Sequence, residues 1–382
     1  MSFSEKIDEW IKEAEARPAS ALLVLKLVAN RLRELAEQNE TLLNENIALR
    51  DGTRVEEYQK RITHLEYQLE ILKRRVGSGA ELPIQAEIPA SLLIYNAHGR
   101  IARFVIDPAA PVFGKLDGEI VQDGEFPRLL AIPGDEEVLL LFTSGRIATC
   151  PVSGIQAMPP GAAWAWDKAD LPEEPHAGEM LACIMPLSRL SLADSFMQAS
   201  RRGCVKKTLT TVAQSILDNR YLGRGAIQKS DQPFDVLLAQ KKERYALVTY
   251  EGRLMGIDVG DLSYAAEERI RISATDYIIG AFTIQPGQNI LCVTQNGKVI
   301  QREAGFLEVA KTGASRGQAL IPQARLDAGV RFVGAVAARD VDQLVALDAT
   351  GNLSVHLTGD VAGAGSIRPG AVILSIGLIP TP

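Results

Sequence analysis

The chain has 382 residues, with 41 Lys and Arg against 47 Asp and Glu and a formal net charge of −6. This mildly acidic balance argues against a polycation that coats nucleic acid indiscriminately, and the length admits one large domain plus a further element. Cys150, Cys183, Cys204 and Cys292, like His64, His98, His176 and His356, lie far apart without zinc-ligand spacing, so no metal or other cofactor is expected. The longest apolar run near the N-terminus, Ala19 to Ala29, is broken by Ser20 and Lys26 and is too short to span a bilayer. It also lacks the marks of a secretion signal, so the expected location is cytoplasmic, with no membrane contact.

Residues 1–76 read as a helical arm. Ile7, Trp10, Ile11 and Ala14 have helical spacing before Pro18. A longer seam follows: Leu25, Val28, Leu32, Leu35, Asn39, Leu42, Asn46 and Leu49. Asparagine falls twice on an a position, which fixes register and favours two parallel strands. After Asp51-Gly52 the pattern restarts two residues out of step, from Val55 to Val76, so the helix bends or breaks there. The asparagines favour a homodimer through these helices; an intramolecular helical hairpin is the alternative packing. Residues 77–90 have the Gly, Ser and Pro content of a linker.

From residue 91 onward an apolar run meets a Gly turn and leaves into a second apolar run, six times. The copies read LLIYNAHGRIARFV, VLLLFTSGRIATCPV, FMQASRRGCVKKTL, YALVTYEGRLMGID, ILCVTQNGKVIQRE and LVALDATGNLSVHL. Their turn glycines, Gly99, Gly145, Gly203, Gly252, Gly297 and Gly351, are separated by 46, 58, 49, 45 and 54 residues, the spacing of four-stranded propeller blades. Each copy predicts a hairpin, and flanks such as Tyr245-Leu247-Thr249 suggest half-buried strands. The fold class is therefore mainly β: a six-bladed propeller over 91–382 behind an N-terminal coiled coil. Both a closed disc and a spiral with a gap between the first and sixth copies satisfy the spacing.

Between Arg201 and Arg244 ten Lys and Arg face only Asp218, Asp231, Asp235 and Glu243, making the third copy a basic island. The stretch from Met158 to Glu179 is rich in Pro and acid, and its Trp164 and Trp166 are expected to cover a rim rather than protrude.

The third copy reads Ser200-Arg201-Arg202-Gly203-Cys204-Val205-Lys206-Lys207-Thr208, followed by Asn219-Arg220-Tyr221-Leu222-Gly223-Arg224-Gly225. With Val293-Thr294-Gln295-Asn296-Gly297-Lys298 and Gly313-Ala314-Ser315-Arg316-Gly317, this pattern resembles the C-terminal DNA-wrapping domain of the bacterial DNA gyrase A subunit and its topoisomerase IV relative. The likeness spans about residues 91 to 375. It implies a β-pinwheel, a propeller-like disc with strands exchanged between neighbouring blades, that binds bent duplex DNA around a basic rim without sequence specificity. The residues it points to are Arg201, Arg202, Lys206, Lys207, Arg220, Arg224, Arg253, Lys298, Arg302 and Arg316. Cations beside Gly turns suit phosphate contacts, which give salt-sensitive affinity. The wrapping box of gyrase, QRRGGKG, meets Asn219 to Gly225 with one arginine and one glycine lost, so binding is expected and strong wrapping is not.

The residues ahead of the repeats are expected to form the helical arm rather than the family's breakage-reunion domain with its nucleophilic tyrosine. No Ser/His/Asp set, P-loop or paired carboxylates replace it, so no enzyme activity is expected. Two functions fit: a DNA-binding protein that bends or organises duplex DNA, nucleoid-associated and with a topoisomerase as a further partner, or a protein-interaction scaffold that keeps the fold without the DNA rim.

Overall fold

Each of the six apolar copies folds as an antiparallel hairpin closed by its glycine, as the spacing predicts. All six turn glycines have positive φ, between 72° and 92°. The structure, a computed structural model, describes residues 90–106, 113–134, 136–159, 161–166, 171–309 and 313–381. The chain divides into two units, Met1–Ala86 and Glu87–Pro382, and the described residues belong to the second. The helical arm expected over 1–76, its seam from Leu25 to Leu49 and all but the last residue of the 77–90 linker lie outside the described residues.

In chain order, blade 1 has β1 (Ser91–Tyr95), β2 (Ile101–Val105), the short β3 (Lys115–Asp117) and β4 (Arg128–Ile132). Blade 2 has β5 (Glu137–Phe142), β6 (Ile147–Pro151), the short β7 (Ala157–Met158) and β8 (Ala163–Ala165), and β9 (Leu181–Pro186). Blade 3 consists of β10 (Ser195–Ser200), β11 (Cys204–Leu209) and β12 (Pro233–Ala239). Blade 4 consists of β13 (Arg244–Thr249), β14 (Arg253–Asp258), the two-residue β15 (Glu267–Glu268) and β16 (Ile278–Ile284). Blade 5 follows with β17 (Asn289–Thr294), β18 (Val299–Glu303), β19 (Gln318–Ala319) and β20 (Phe332–Ala338), and blade 6 with β21 (Gln343–Asp348), β22 (Leu353–Leu357) and β23 (Ile373–Ile379). Within each blade the first strand is central, pairing the hairpin partner on one side and the last strand on the other.

The central strands are buried on both faces. Tyr245, Ala246, Leu247, Val248 and Thr249 are all 0% exposed, which corrects the expectation of half-buried, alternating strands. The reason is that each sheet is sandwiched between its two neighbours, and a strand covered on both faces needs a continuous apolar run. The core accordingly consists of six apolar layers, each between successive blades. One of these layers joins Val345 and Leu347 of blade 6 to Leu92 and Ile94 of blade 1.

Strand exchange ties the layers together. The segment that leads back to the last strand of one blade first crosses the outer edge of the blade before it. Thus β7 pairs β2, β15 pairs β11 and β19 pairs β14. At the remaining edges the crossing segment makes single bridges, Arg146 to Tyr221, Lys298 to Ser366 and Lys115 to Asn352. Every turn glycine carbonyl accepts a backbone N–H from such a segment: Gly99 from Leu171, Gly145 from Leu222, Gly203 from Arg269, Gly252 from Leu320, Gly297 from Ile367 and Gly351 from Leu116. The last of these bonds runs from blade 1 to blade 6, at 3.0 Å. Between the two arrangements that the spacing left open, the described residues form a closed disc.

The last strands of the blades converge on the axis, where small residues let backbones approach. A Cβ on Gly377 of β23 would lie 2.7 Å from Leu129 Cβ of β4. These strands enclose an axial cavity of about 420 Å³. At its wall Arg128 of blade 1 donates to the Ala182 carbonyl of blade 2 at 2.9 Å and the Phe234 carbonyl of blade 3 at 2.7 Å, and pairs with Asp235 at 3.0 Å. Trp166 is 2% exposed and Trp164 is half-buried, both packed in the layer between blades 6 and 1, so they cover this seam. The four cysteines are buried and unpaired. No helix among the described residues is long and apolar enough to cross a membrane.

Candidate nucleic-acid interface

The hairpin register places one side chain directly after each turn glycine, at the end of the disc where the crossing segments run. These residues are Arg100, Arg146, Cys204, Arg253, Lys298 and Asn352, so four of the six carry positive charge. Arg100 and Arg146 were not singled out from sequence, although their place in the repeat is that of Lys298. The signal available was the recurring Gly-Arg and Gly-Lys pair rather than local charge density.

The candidates from sequence fall into three groups. Arg220, Lys298 and Arg316 are exposed, and Lys206 and Arg253 are half-buried. None of these five has an ion-pair partner among the described residues. Arg220 has φ 49°, on the segment that crosses blade 2. Lys206 belongs to blade 3, Arg253 to blade 4 and Lys298 to blade 5, while Arg316 lies just ahead of β19 on the edge of blade 4. The open cations therefore form an arc over four consecutive blades.

A second group is engaged by the protein's own carbonyls. Arg202 donates to the Asp276 carbonyl at 2.6 Å, Arg224 to the carbonyls of Lys229 (2.8 Å) and Asp231, and Arg302 to the Leu320 carbonyl at 3.2 Å. These bonds shape the loops on which the exposed cations ride. A guanidinium has further N–H groups and keeps its charge, so all three still add to the local positive potential.

The third group points elsewhere. Arg201 turns toward the axial cavity, where it grips Glu125 through two 2.5 Å bonds and lies 5.4 Å from the Tyr277 ring centre. Lys207 is 7% exposed, donates to the Val259 carbonyl at 3.0 Å and sits 5.1 Å from the Tyr264 ring centre. Burial, with a smaller contribution from Lys241, lowers its pKa. Alternation along β11 is the physical reason: Lys206 faces outward beside the 219–225 loop, so Lys207 must face the blade 4 side. Sequence alone showed two adjacent lysines and not which of them the layer would swallow.

Beyond Arg220 the arc ends, because the next cation on blade 2, Arg146, is occupied. Arg146 stacks 3.9 Å from the Phe142 ring centre and is held by Glu179 at 2.9 Å and Glu173 at 3.2 Å. Burial alone would raise the Glu179 pKa, but hydrogen bonds from Arg146, Ser144 and the His176 N–H hold it at about 2. A carboxyl with a depressed folded pKa contributes stability above its unfolded value and loses it as pH falls through the folded one. Thermal unfolding midpoints followed downward from about pH 4.5 to about 2 will therefore fall more steeply in the wild type than in Glu179→Gln. Parallel curves would show that this cluster contributes nothing to folding.

No family model matches the chain, and no curated protein is similar to it in sequence. Solved structures are more informative. A structure of the DNA gyrase A C-terminal domain superposes with a TM-score of 0.58 at 12% identity, over 76% of this chain and 99% of that one. The fold is that of the gyrase A C-terminal pinwheel. The C-terminal domain of DNA topoisomerase IV is also similar, with a TM-score of 0.48 and 19% identity over 76% of this chain and 93% of that one. In this pinwheel the exchanged segments and the residues after the turn glycines make up the outer edge, so the arc of open cations lies on the pinwheel's rim. Among the described residues no cluster of three His, Cys, Asp or Glu is arranged to hold a metal ion.

Proposed function

We propose that the chain is a non-catalytic protein that binds duplex DNA along the rim of its pinwheel, without reading sequence, and serves as an accessory to DNA topology or organisation. The observation that carries this reading is the arc of Lys206, Arg220, Arg253, Lys298 and Arg316, on four consecutive blades of a fold shared with a DNA gyrase domain and without ion-pair partners among the described residues. A protein of net charge −6 keeps such an arc unpaired for an anionic partner more readily than for general solubility. A duplex has a continuous line of phosphates that a curved row of cations can follow.

The arc covers only part of the disc, and Arg146 beside its blade 2 end is neutralised by Glu173 and Glu179, so the proposed complex is bound and modestly bent rather than fully wrapped. A bend of 40–90° over a short site costs about 1–6 kcal/mol, which few phosphate contacts offset at physiological salt. Relaxed plasmid treated with a nicking-closing enzyme is accordingly expected to show little linking-number change. A large shift would mean that the track includes residues outside the arc.

Anisotropy titration of a labelled mixed-sequence duplex at several salt concentrations tests the reading. Replacing Arg220, Arg253, Lys298 and Arg316 with Ala is expected to weaken binding and flatten the slope of log K against log salt by about 0.9 for each phosphate no longer neutralised. Unchanged affinity and slope would transfer the protein to the second reading, an interaction scaffold. That reading is favoured by the engagement of Arg146 and Arg201 with the protein's own carboxylates.

A further inference from the structure

Two tyrosines are more exposed than any other Phe, Tyr or Trp among the described residues, Tyr264 at 60% and Tyr221 at 56%. Both belong to exchanged segments, and both flank β11 of blade 3. Tyr221 bridges to Arg146 on one side. A methyl group at Gly223 would lie 3.8 Å from Lys206 Nζ and 3.9 Å from Tyr221 Cε1, so the ammonium and the ring border the same small space. On the other face of β11, Lys207 Nζ stands 5.1 Å from the Tyr264 ring centre. Each ring thus has one of two adjacent lysines of a single strand nearby.

Neither ring fills the interior, but each stands within two residues of a chain position that does. Leu222, next to Tyr221, is 5% exposed and donates its N–H to the Gly145 carbonyl, and Leu262, two residues before Tyr264, is 4% exposed. Buried neighbours anchor the backbone that carries each ring, so less chain freedom is lost when a flat partner settles on it. An open aromatic face with a cation alongside holds an unpaired base by stacking and its phosphate by charge, whatever the base. In a duplex the base faces are already stacked on each other, so these rings would add little to phosphate contacts made by the arc.

We infer that the outer edge of blade 3 binds single-stranded nucleic acid, with bases stacked on Tyr221 and Tyr264 and the backbone held by Lys206 and Arg220. This rests on the proposed nucleic-acid function and adds a preference within it: a strand separated from its partner is held at blade 3 while paired DNA follows the rest of the arc.

The test uses the full chain, a labelled thymidine oligonucleotide of about 20 nucleotides, and a mixed duplex of the same length at the same salt. The oligonucleotide is expected to bind. Tyr221→Ala with Tyr264→Ala should weaken its binding at least about tenfold and leave duplex binding within about twofold, whereas the paired Phe substitutions should keep both. Duplex binding without oligonucleotide binding overturns the inference and leaves the proposed function standing. So does an equal loss for both ligands in the Ala variant, or a loss as large in the Phe variant, since then the hydroxyls rather than the ring faces are used. If neither ligand binds, the nucleic-acid reading fails and the inference with it.

Discussion

Substituting Gly351 with alanine is expected to open the disc at a single seam. At φ 84° the residue occupies the left-handed region, and its missing side chain is where the neighbouring blade comes closest. A Cβ there would lie 1.9 Å from the Leu116 carbonyl oxygen and 3.0 Å from its carbon, both backbone atoms of blade 1. No rotamer relieves that overlap, so the crossing segment must withdraw and lose the bond from the Leu116 N–H to the Gly351 carbonyl. Gly287, at φ 82° with nothing within 4 Å of its Cβ position, is the matched control. Gly287→Ala pays only for the backbone conformation, about 1–2 kcal/mol, whereas Gly351→Ala adds the lost closure and should exceed it by about 2 kcal/mol or more. Urea unfolding of the two variants measures the difference. Amide exchange should then show Leu116 and its neighbours losing protection ahead of the corresponding segments in other blades. Equal losses in the two variants would mean that the seam between blades 6 and 1 contributes nothing special.

The hairpins were legible in the sequence because each is local: an apolar run, a glycine and a second run within about fourteen residues, repeated six times. The exchanged strands were not, since β15 and β19 are two residues long and pair with strands some 60 residues earlier. Nothing in Glu267-Glu268 or Gln318-Ala319 announces a strand; the hydrogen bonds exist only once the previous blade offers its edge. The last strands of each blade were likewise obscure, because Gly280, Gly334 and Gly377 read as breakers locally and as space-savers only where the strands converge on the axis. Of the candidate interface, Arg253 and Lys298 followed from the repeat, whereas Arg100 and Arg146, in the same place after their glycines, were passed over because local charge there is sparse. Arg201 was misleading because its partner, Glu125, is brought near by the blade order and not by proximity in the chain.

Arg128 escaped notice for the same reason, and it carries the other large expected effect. Among the described residues it is the one side chain that binds backbone carbonyls of two further blades, Ala182 and Phe234, while pairing with a carboxylate, Asp235, and lying 4.4 Å from the Phe234 ring centre. Removing only the cation leaves Asp235 poorly solvated at the cavity wall and two carbonyls without their donor. Breaking such a pair typically costs about 3–5 kcal/mol, far more than the pair itself is worth relative to an apolar replacement. Arg128→Met should therefore destabilise the protein by about 3 kcal/mol or more, and adding Asp235→Asn should restore part of it. The effect also has a pH signature. Burial already raises the Asp235 pKa, opposed by Arg128, so loss of the arginine raises it further. A carboxyl whose folded pKa lies above its unfolded value costs stability as pH rises through that folded value and costs none below the unfolded one. The stability gap between Arg128→Met and wild type should thus narrow on acidification toward the carboxylate range, whereas the gap for Arg128→Met with Asp235→Asn, which lacks that carboxyl, should not narrow. Denaturant midpoints measured across that range decide it. A gap independent of pH in the single variant would show that Asp235 is satisfied without the arginine, and that the three blades are joined at the axis by packing alone.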